Sequence, residues 1–261
     1  MNKRFVPIVA DLLNRSDALF RFHAHFRWVP GGPIESYIDA YSRRRSKRSR
    51  VVVLQVGAND GTRQDPIRFF IRRDKWRGLL VEPQAEVFSK LAQVYPTGQI
   101  AVENVALDAT TGERALYKIS FSSSRWATGL ASFNRETILS AVRSEHVQKA
   151  AFREGVSVPE EDDVAIAVER VKCVTFDGLI SKYQLSKIDF LVIDTEGYDY
   201  QLLQLFNYRH VRPLNVLFEH VFLSDAEAKS IEELLCKHGY ETVREGSNTL
   251  AFTRGAAKST R

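Results

Sequence analysis

The sequence predicts an open α/β fold: a doubly wound, mostly parallel sheet with helices on both faces, a C-terminal antiparallel hairpin, and an insertion after the third strand. Three observations carry this expectation. Short apolar runs alternate with segments of helical spacing, the order that builds parallel strands joined by crossover helices. The run VVVLQV at 51–56 passes straight into a turn built on Gly57 and Gly61, as a buried parallel strand does when its end forms a ligand loop. Polar and acidic residues recur at the carboxyl ends of the expected strands, where open α/β sheets bind ligands.

The elements follow in order. Residues 5–28 have helical spacing, with Phe20, Phe22, Phe26 and Trp28 close together, and read as a helical extension packed on the body. A Pro-Gly-Gly-Pro break then places Pro33 in the first turn of a short helix through Ile34, Tyr37, Ile38 and Tyr41. Residues 43–50 hold six cations in eight positions and read as a basic linker into the first strand, so 1–50 is an appendage and 51–254 the main domain. Asp65 and Pro66 start a helix with Ile67, Phe70 and Ile71 on one face. A second strand at 78–81 stops on Glu82 and Pro83, and a helix over 84–95 ends before Pro96. A third strand spans 100–107 with Asn104 inside it.

From 108 to 186 the alternation is interrupted, and this stretch reads as a substrate-side insertion. It holds a strand at 114–121, a helix capped by Asn134 running to about Phe152, and a strand at 164–174. Trp126, Thr128, Ser132 and His146 are its candidate substrate contacts. The alternation resumes with a strand at 190–193 ending on Asp194 and Glu196, a helix through Leu202 and Phe206, and a strand at 216–218 ending on Glu219 and His220. Ser224 and Glu227 have capping-box spacing for the next helix. Residues 240–244 and 249–253 form the hairpin, and 255–261 a frayed tail.

Composition narrows the function classes. At 261 residues, 44% hydrophobic and 26% charged, the chain is expected to bury a full core and to be soluble. No apolar run approaches the roughly 20 residues of a membrane span. No secretory cleavage pattern follows the N-terminal residues, so a cytoplasmic protein is expected. Cys173 and Cys236 lack metal-ligand spacing and read as buried free thiols. The net charge of +5 is uneven: residues 1–50 sum to +7 and the remainder to −2. A near-neutral body argues against a nucleic-acid substrate. The run from Arg43 to Arg50 is then either a solvated linker or a weak contact for an acidic surface.

Glu82 lies 21 residues beyond Gly61 at a strand end, the place where a carboxylate accepts hydrogen bonds from ribose hydroxyls. The loop lacks the glycines of a dinucleotide fingerprint and the Lys-Ser/Thr pair of a P-loop. A glycine loop and a ribose carboxylate without a phosphate cradle suit an adenosine ligand whose other end is an amino acid, S-adenosylmethionine.

The motifs VGANDG at 56–61, VEP at 81–83, ENVALDATTG at 103–112, FDGLI at 176–180 and FLVIDTEGYD at 190–199 together resemble the FkbM-type methyltransferases. The resemblance implies a class I S-adenosylmethionine-dependent fold and O-methylation of a sugar or small-metabolite hydroxyl. It implies that Gly57, Asn59 and Gly61 line the methionine end, that Glu82 holds the ribose and that Asn104 lies beside the adenine. The cofactor set it implies is Gln55, Gly57, Ala58, Asn59, Asp60, Gly61, Glu82, Pro83, Asn104 and Asp194, although Gln55 stands where the family commonly has an acid.

For the chemistry, His220 or Glu196 is the expected base, with Asp194 orienting the acceptor or the cofactor's cationic end. A divalent-metal site at Asp194, Glu196, Glu219 and His220 is the less favoured alternative, and no metal is assigned. The competing function is an inactive module of the same fold that binds an adenosyl ligand or a partner without turnover.

Overall fold

A computed structural model of the chain describes residues 31–62, 65–96 and 98–258. The extension expected over 5–28 lies outside the described residues. Helix α1 (Pro33–Ser46) begins on its proline and buries Ile34, Ile38 and Tyr41. Strand β1 (Val52–Val56) is buried along its length, and α2 (Arg68–Asp74), β2 (Arg77–Val81), α3 (Ala85–Val94) and β3 (Ile100–Glu103) follow. The inserted unit contains β4 (Ala106–Leu107), β5 (Gly112–Ile119), α4 (Arg125–Thr128), β6 (Ala131–Ser132), α5 (Arg135–Arg143), α6 (Glu145–Glu154), α7 (Asp162–Ala165) and β7 (Ile166–Val174). The body resumes with α8 (Phe176–Lys182), β8 (Phe190–Ile193), α9 (Asp199–Leu205), β9 (Asn215–Glu219) and α10 (Asp225–Lys237). It closes with β10 (Tyr240–Glu245), β11 (Asn248–Thr253) and α11 (Arg254–Lys258).

The main sheet has the order β10-β11-β9-β8-β1-β2-β3. β9, β8, β1, β2 and β3 run parallel, and β11 pairs antiparallel with both β9 and β10. This is the fold class the alternation predicts. The chain winds outward from β1 through β2 to β3 and, after the insertion, outward from β8 to β9. The crevice over β1 and β8 is therefore the topological switch point, where such sheets bind ligands.

Side-chain alternation feeds two cores. Leu54, Val56, Leu79 and Val81 pack with Phe176, Leu179, Leu202 and Ile231 on one face. Val51, Val53 and Leu80 pack with Ile38, Phe70, Trp76 and Leu91 on the other. The insertion builds its own sheet, β4-β7-β5-β6, and a small core around Ile119, Ile138, Val142 and Val147.

Several elements differ from expectation. α1 continues through Ser46, so Arg43, Arg44 and Arg45 lie in a helix rather than a linker. The third strand divides at Asn104, with Ala106 and Leu107 joining the second sheet. The long insertion helix breaks at Ser144, whose extended backbone and side chain cap α6. α8 was not expected, and because it packs on the main sheet the insertion ends near Val174 rather than at 186. The tail is helical through Lys258 and buries Ala256. Cys173 is buried as expected, but Cys236 is exposed on α10. Among the described residues, no helix is long and apolar enough to cross a membrane.

Candidate active site

The site grows from the loops that end β1 and β8. Gly57 and Ala58 both donate their backbone N–H to the Val81 carbonyl at 3.0 Å, folding the first loop across the end of β2. Gly57 has φ +80, and a Cβ there would lie 1.7 Å from the Asp194 carbonyl oxygen. Its glycine thus serves the close approach of two strand ends. Asn59 adopts φ +48, a left-handed conformation that its side chain tolerates, and accepts from Asp60 N–H. Its Nδ2 donates to the Thr128 carbonyl, which Gln84 Nε2 also reaches, each at 2.9 Å. The central loop is therefore tied to the inserted helix α4.

Glu82 is buried at the end of β2. One carboxylate oxygen accepts from Asn59 N–H and the other from Gln84 N–H, both at 2.9 Å. Burial raises its pKa to about 7 against the lowering effect of these bonds and of Arg125. The Gln84 side chain also hydrogen-bonds this carboxylate, so only part of its acceptor capacity stays open.

Beyond β8, Asp194, Glu196 and Glu219 each offer a carboxylate oxygen within 4.8 Å of the others. Burial and neighbouring carboxylates raise their pKa values. Asp194 is pushed up to about 6 by burial and by Asp65, with Arg125 opposing. Glu196 rises to about 9 through burial, Asp194, Glu219 and Asp199. Glu219 rises to about 7 through burial, Asp194 and Asp199. Asp199, buried and accepting from Thr195 Oγ1 at 3.0 Å, is also pushed up to about 7 by burial and Asp194. At neutral pH the cluster holds protons that isolated carboxylates would have released.

Two cavities meet here. The first is bordered by Gly57, Asn59, Glu82, Pro83, Asp194 and Glu196. Its apolar walls include Leu107, Leu116, Leu202 and the Phe133 ring. The second is bordered by Trp126, His146, Glu219, Ser247 and Asn248. Arg125, Gly129, Asp194 and Glu196 border both.

The structure separates several of the remaining candidates from these cavities. Gln55 points to the opposite sheet face from Leu54 and Val56, beside buried Asp65. Ala58 packs in the core beneath α1 and α2. Asp60 closes its own turn by accepting from Thr62 N–H and Oγ1, and pairs with Arg125 at 3.5 Å. Gly61, at φ +64, gives room to Leu91 and Tyr95, which a Cβ would meet at 2.6 and 3.0 Å. Asn104 Nδ2 clamps the Glu82 and Pro83 carbonyls at 2.9 Å, bracing two strand ends. His220 Nδ1 lies 3.0 Å from Thr249 Oγ1, on the hairpin side, and its ring borders neither cavity. Of the insertion residues, Trp126 and His146 border the second cavity and Ser132 the first. Thr128 contributes its backbone carbonyl to the loop contacts.

Sequence reasoning missed Arg125, Gln84, Thr195 and Tyr198. Tyr198 adjoins the acidic motif, which is a local signal. Arg125 has none, because only the folded insertion brings it to the strand ends. Arg114 adds a second tie by donating to Asp108 at 2.9 Å and to the Tyr198 hydroxyl at 3.0 Å. Its guanidinium also lies 4.0 Å from the Phe133 ring centroid.

Comparison with known proteins gives one family: the methyltransferase FkbM domain matches residues 55–242. No curated protein matches the chain. Among solved structures, the O-methyltransferase from Bacillus cereus in complex with SAH is 8% identical, with a TM-score of 0.43 over 92% of this chain and 90% of its own. The ribosomal protein L11 methylase from Lactobacillus delbrueckii subsp. bulgaricus is 12% identical, with a TM-score of 0.36 over 83% of this chain and 74% of its own.

Proposed function

This chain belongs to the FkbM methyltransferase family, and from that premise we propose that it transfers a methyl group from S-adenosylmethionine to a hydroxyl oxygen of a sugar or other small metabolite. The observation that carries the reading is the junction of two cavities at Asp194, Glu196 and Arg125, with a buried carboxylate bordering one and a polar lining in the other. The first cavity's donor and acceptor set fits the cofactor: Glu82 keeps acceptor capacity for a ribose hydroxyl, and Leu107, Leu116 and Leu202 offer an apolar wall to a flat base.

When bound, S-adenosylmethionine supplies a methyl carbon activated by the adjoining sulfonium. The chain's own residues then have three tasks: to hold the acceptor oxygen in line, to exclude water, and to take the acceptor's proton. The carboxylates at the junction suit the third. Glu219, pushed up to about 7, has a proton affinity matched to neutral pH and borders the second cavity. Glu196, pushed up to about 9, keeps its proton and can donate a hydrogen bond to the acceptor. Asp194 orients the reacting groups from its place at the border of both cavities. The base therefore belongs to this cluster rather than to His220.

The test is calorimetric titration with S-adenosylmethionine and S-adenosylhomocysteine on the wild type and on Glu82→Gln, followed by labelled-methyl transfer to a panel of hydroxyl acceptors. Saturable binding is expected, weakened roughly 10- to 100-fold in the variant through lost charged hydrogen bonds. A folded wild type that binds neither ligand overturns the cofactor. Binding without transfer to any hydroxyl overturns the reaction and leaves a binding module.

A further inference from the structure

The sheet has a second edge, opposite the site. α1 runs from Ile34, whose N–H donates to Glu245 near the strands' carboxyl ends, down to Tyr41 and Arg45, which both reach Asp189. Asp189 immediately precedes β8, so the last turn of α1 arrives at the amino ends of the parallel strands. Lys47, Arg48 and Arg50 follow on exposed chain leading into β1. Lys75, just past the end of α2, and Arg77, at the start of β2, are also exposed, with Arg77 N–H donating to the Val51 carbonyl beside Arg50.

The carboxylates these elements bring to the edge are already engaged. Asp189, fully buried, pairs with Arg45 at 3.2 Å and Lys187 at 3.0 Å and accepts from Tyr41 and Val52. Asp39 and Asp74 share Arg73. Lys47, Arg48, Arg50, Lys75 and Arg77 make no ion pair among the described residues, so their charge faces outward. The body beyond residue 50 sums to −2, which makes this a local positive field rather than a general one.

We propose that this amino-end edge docks the protein on an anionic lipid surface. Charge complementarity is the first argument: each Lys or Arg near an anionic surface strengthens binding to acidic headgroups roughly fivefold. The sequence leading into α1 is the second. Residues 1–30 interleave five cations with aromatic and aliphatic residues, among them Phe20, Phe22, Phe26 and Trp28, the composition that buries apolar groups at a headgroup boundary beside basic ones. Nucleic acid fits less well. The aromatics at this edge, Tyr41 and Trp76, are buried and offer no stacking surface. A nucleic-acid substrate would also have to reach the carboxyl ends, about 16 Å away along a five-residue strand. Docking through the amino edge leaves both cavities open.

The proposal stands apart from the methyl-transfer reading, because none of these cations borders either cavity. The test is co-sedimentation of the full chain with neutral phosphatidylcholine vesicles and with vesicles containing about 30% phosphatidylserine. Binding is expected only to the anionic vesicles and should be lost at about 0.5 M salt. Replacing Lys47, Arg48 and Arg50 together by Gln should weaken it roughly 100-fold, and replacing Lys75 and Arg77 by Gln roughly 10- to 30-fold, with thermal unfolding unchanged. Equal binding to neutral vesicles, no binding at low salt, or undiminished binding by both folded variants overturns the proposal. Tighter binding to duplex RNA than to anionic vesicles reassigns the edge to nucleic acid and overturns it as well.

Discussion

Glu196 combines two unfavourable conditions: a left-handed backbone at φ +51 and a buried carboxyl beside three other acids. Non-glycine residues in that conformation cost about 1 to 2 kcal/mol and tend to persist at functional sites. The acid cluster also makes stability depend on pH in a stated direction. Glu196 moves from 4.5 to about 9 on folding, with burial the largest cause. Between those values the native protein keeps a proton that the unfolded chain has lost, so the contribution of Glu196 to stability is full below pH 4.5 and is lost as pH rises toward 9. The slope approaches about 1.4 kcal/mol per pH unit for one retained proton. Urea unfolding across this window should therefore show a declining free energy for the wild type and a shallower decline for Glu196→Gln. Parallel slopes for the two proteins would refute the assignment.

Elements end and turn here for reasons that are partly local. Ser224 and Glu227 form the capping box their spacing predicts, and Asn134 caps α5 by accepting from Glu136 N–H at 3.0 Å. Asp65 likewise accepts from Ile67 and Arg68 N–H at the start of α2. The break at Ser144 has the same chemistry, but the sequence does not announce that this serine caps a new helix rather than continuing the old one. α1 is fixed by a distant partner. Asp189→Ala removes the acceptor of Tyr41 and Val52 and leaves Arg45 and Lys187 without their carboxylate. A loss of about 3 kcal/mol is expected in urea unfolding, with faster hydrogen exchange in α1. A loss under about 1 kcal/mol would mean that Ile34 and Ile38 hold the helix by apolar contact alone.

Over the whole molecule, the insertion acts as a wall held at two points. Asn59 and Gln84 hold the Thr128 carbonyl, and Arg114 joins Asp108 to Tyr198. These ties let Arg125, Ser132 and Phe133 complete a cavity whose floor is the main sheet. A ligand that needs both walls binds only the folded arrangement. S-adenosylhomocysteine at about 100 times its dissociation constant should therefore add about 2.7 kcal/mol. That corresponds to a rise in Tm of roughly 5–10 °C for a domain of this size. Scanning calorimetry checks it, and an unchanged Tm at saturation would contradict binding between sheet and insertion.

The sequence by itself determined the parallel core, the strand ends that carry Gly57, Glu82 and Asp194, the capped helices and the closing hairpin. Those features follow from period-two and helical spacing, turn residues and caps, which are all local. Alternation along β1 even made the orientation of Gln55 opposite to Leu54 and Val56 readable, although not which face belonged to the site. Only the tertiary structure decided that His220 turns toward Thr249, that Asn104 braces two carbonyls, and that Arg125 arrives from the insertion. It alone brought Asp194, Glu196 and Glu219 within reach of one another. Contacts between residues far apart in the chain depend on how sheet and insertion pack, and no spacing within one segment encodes that distance.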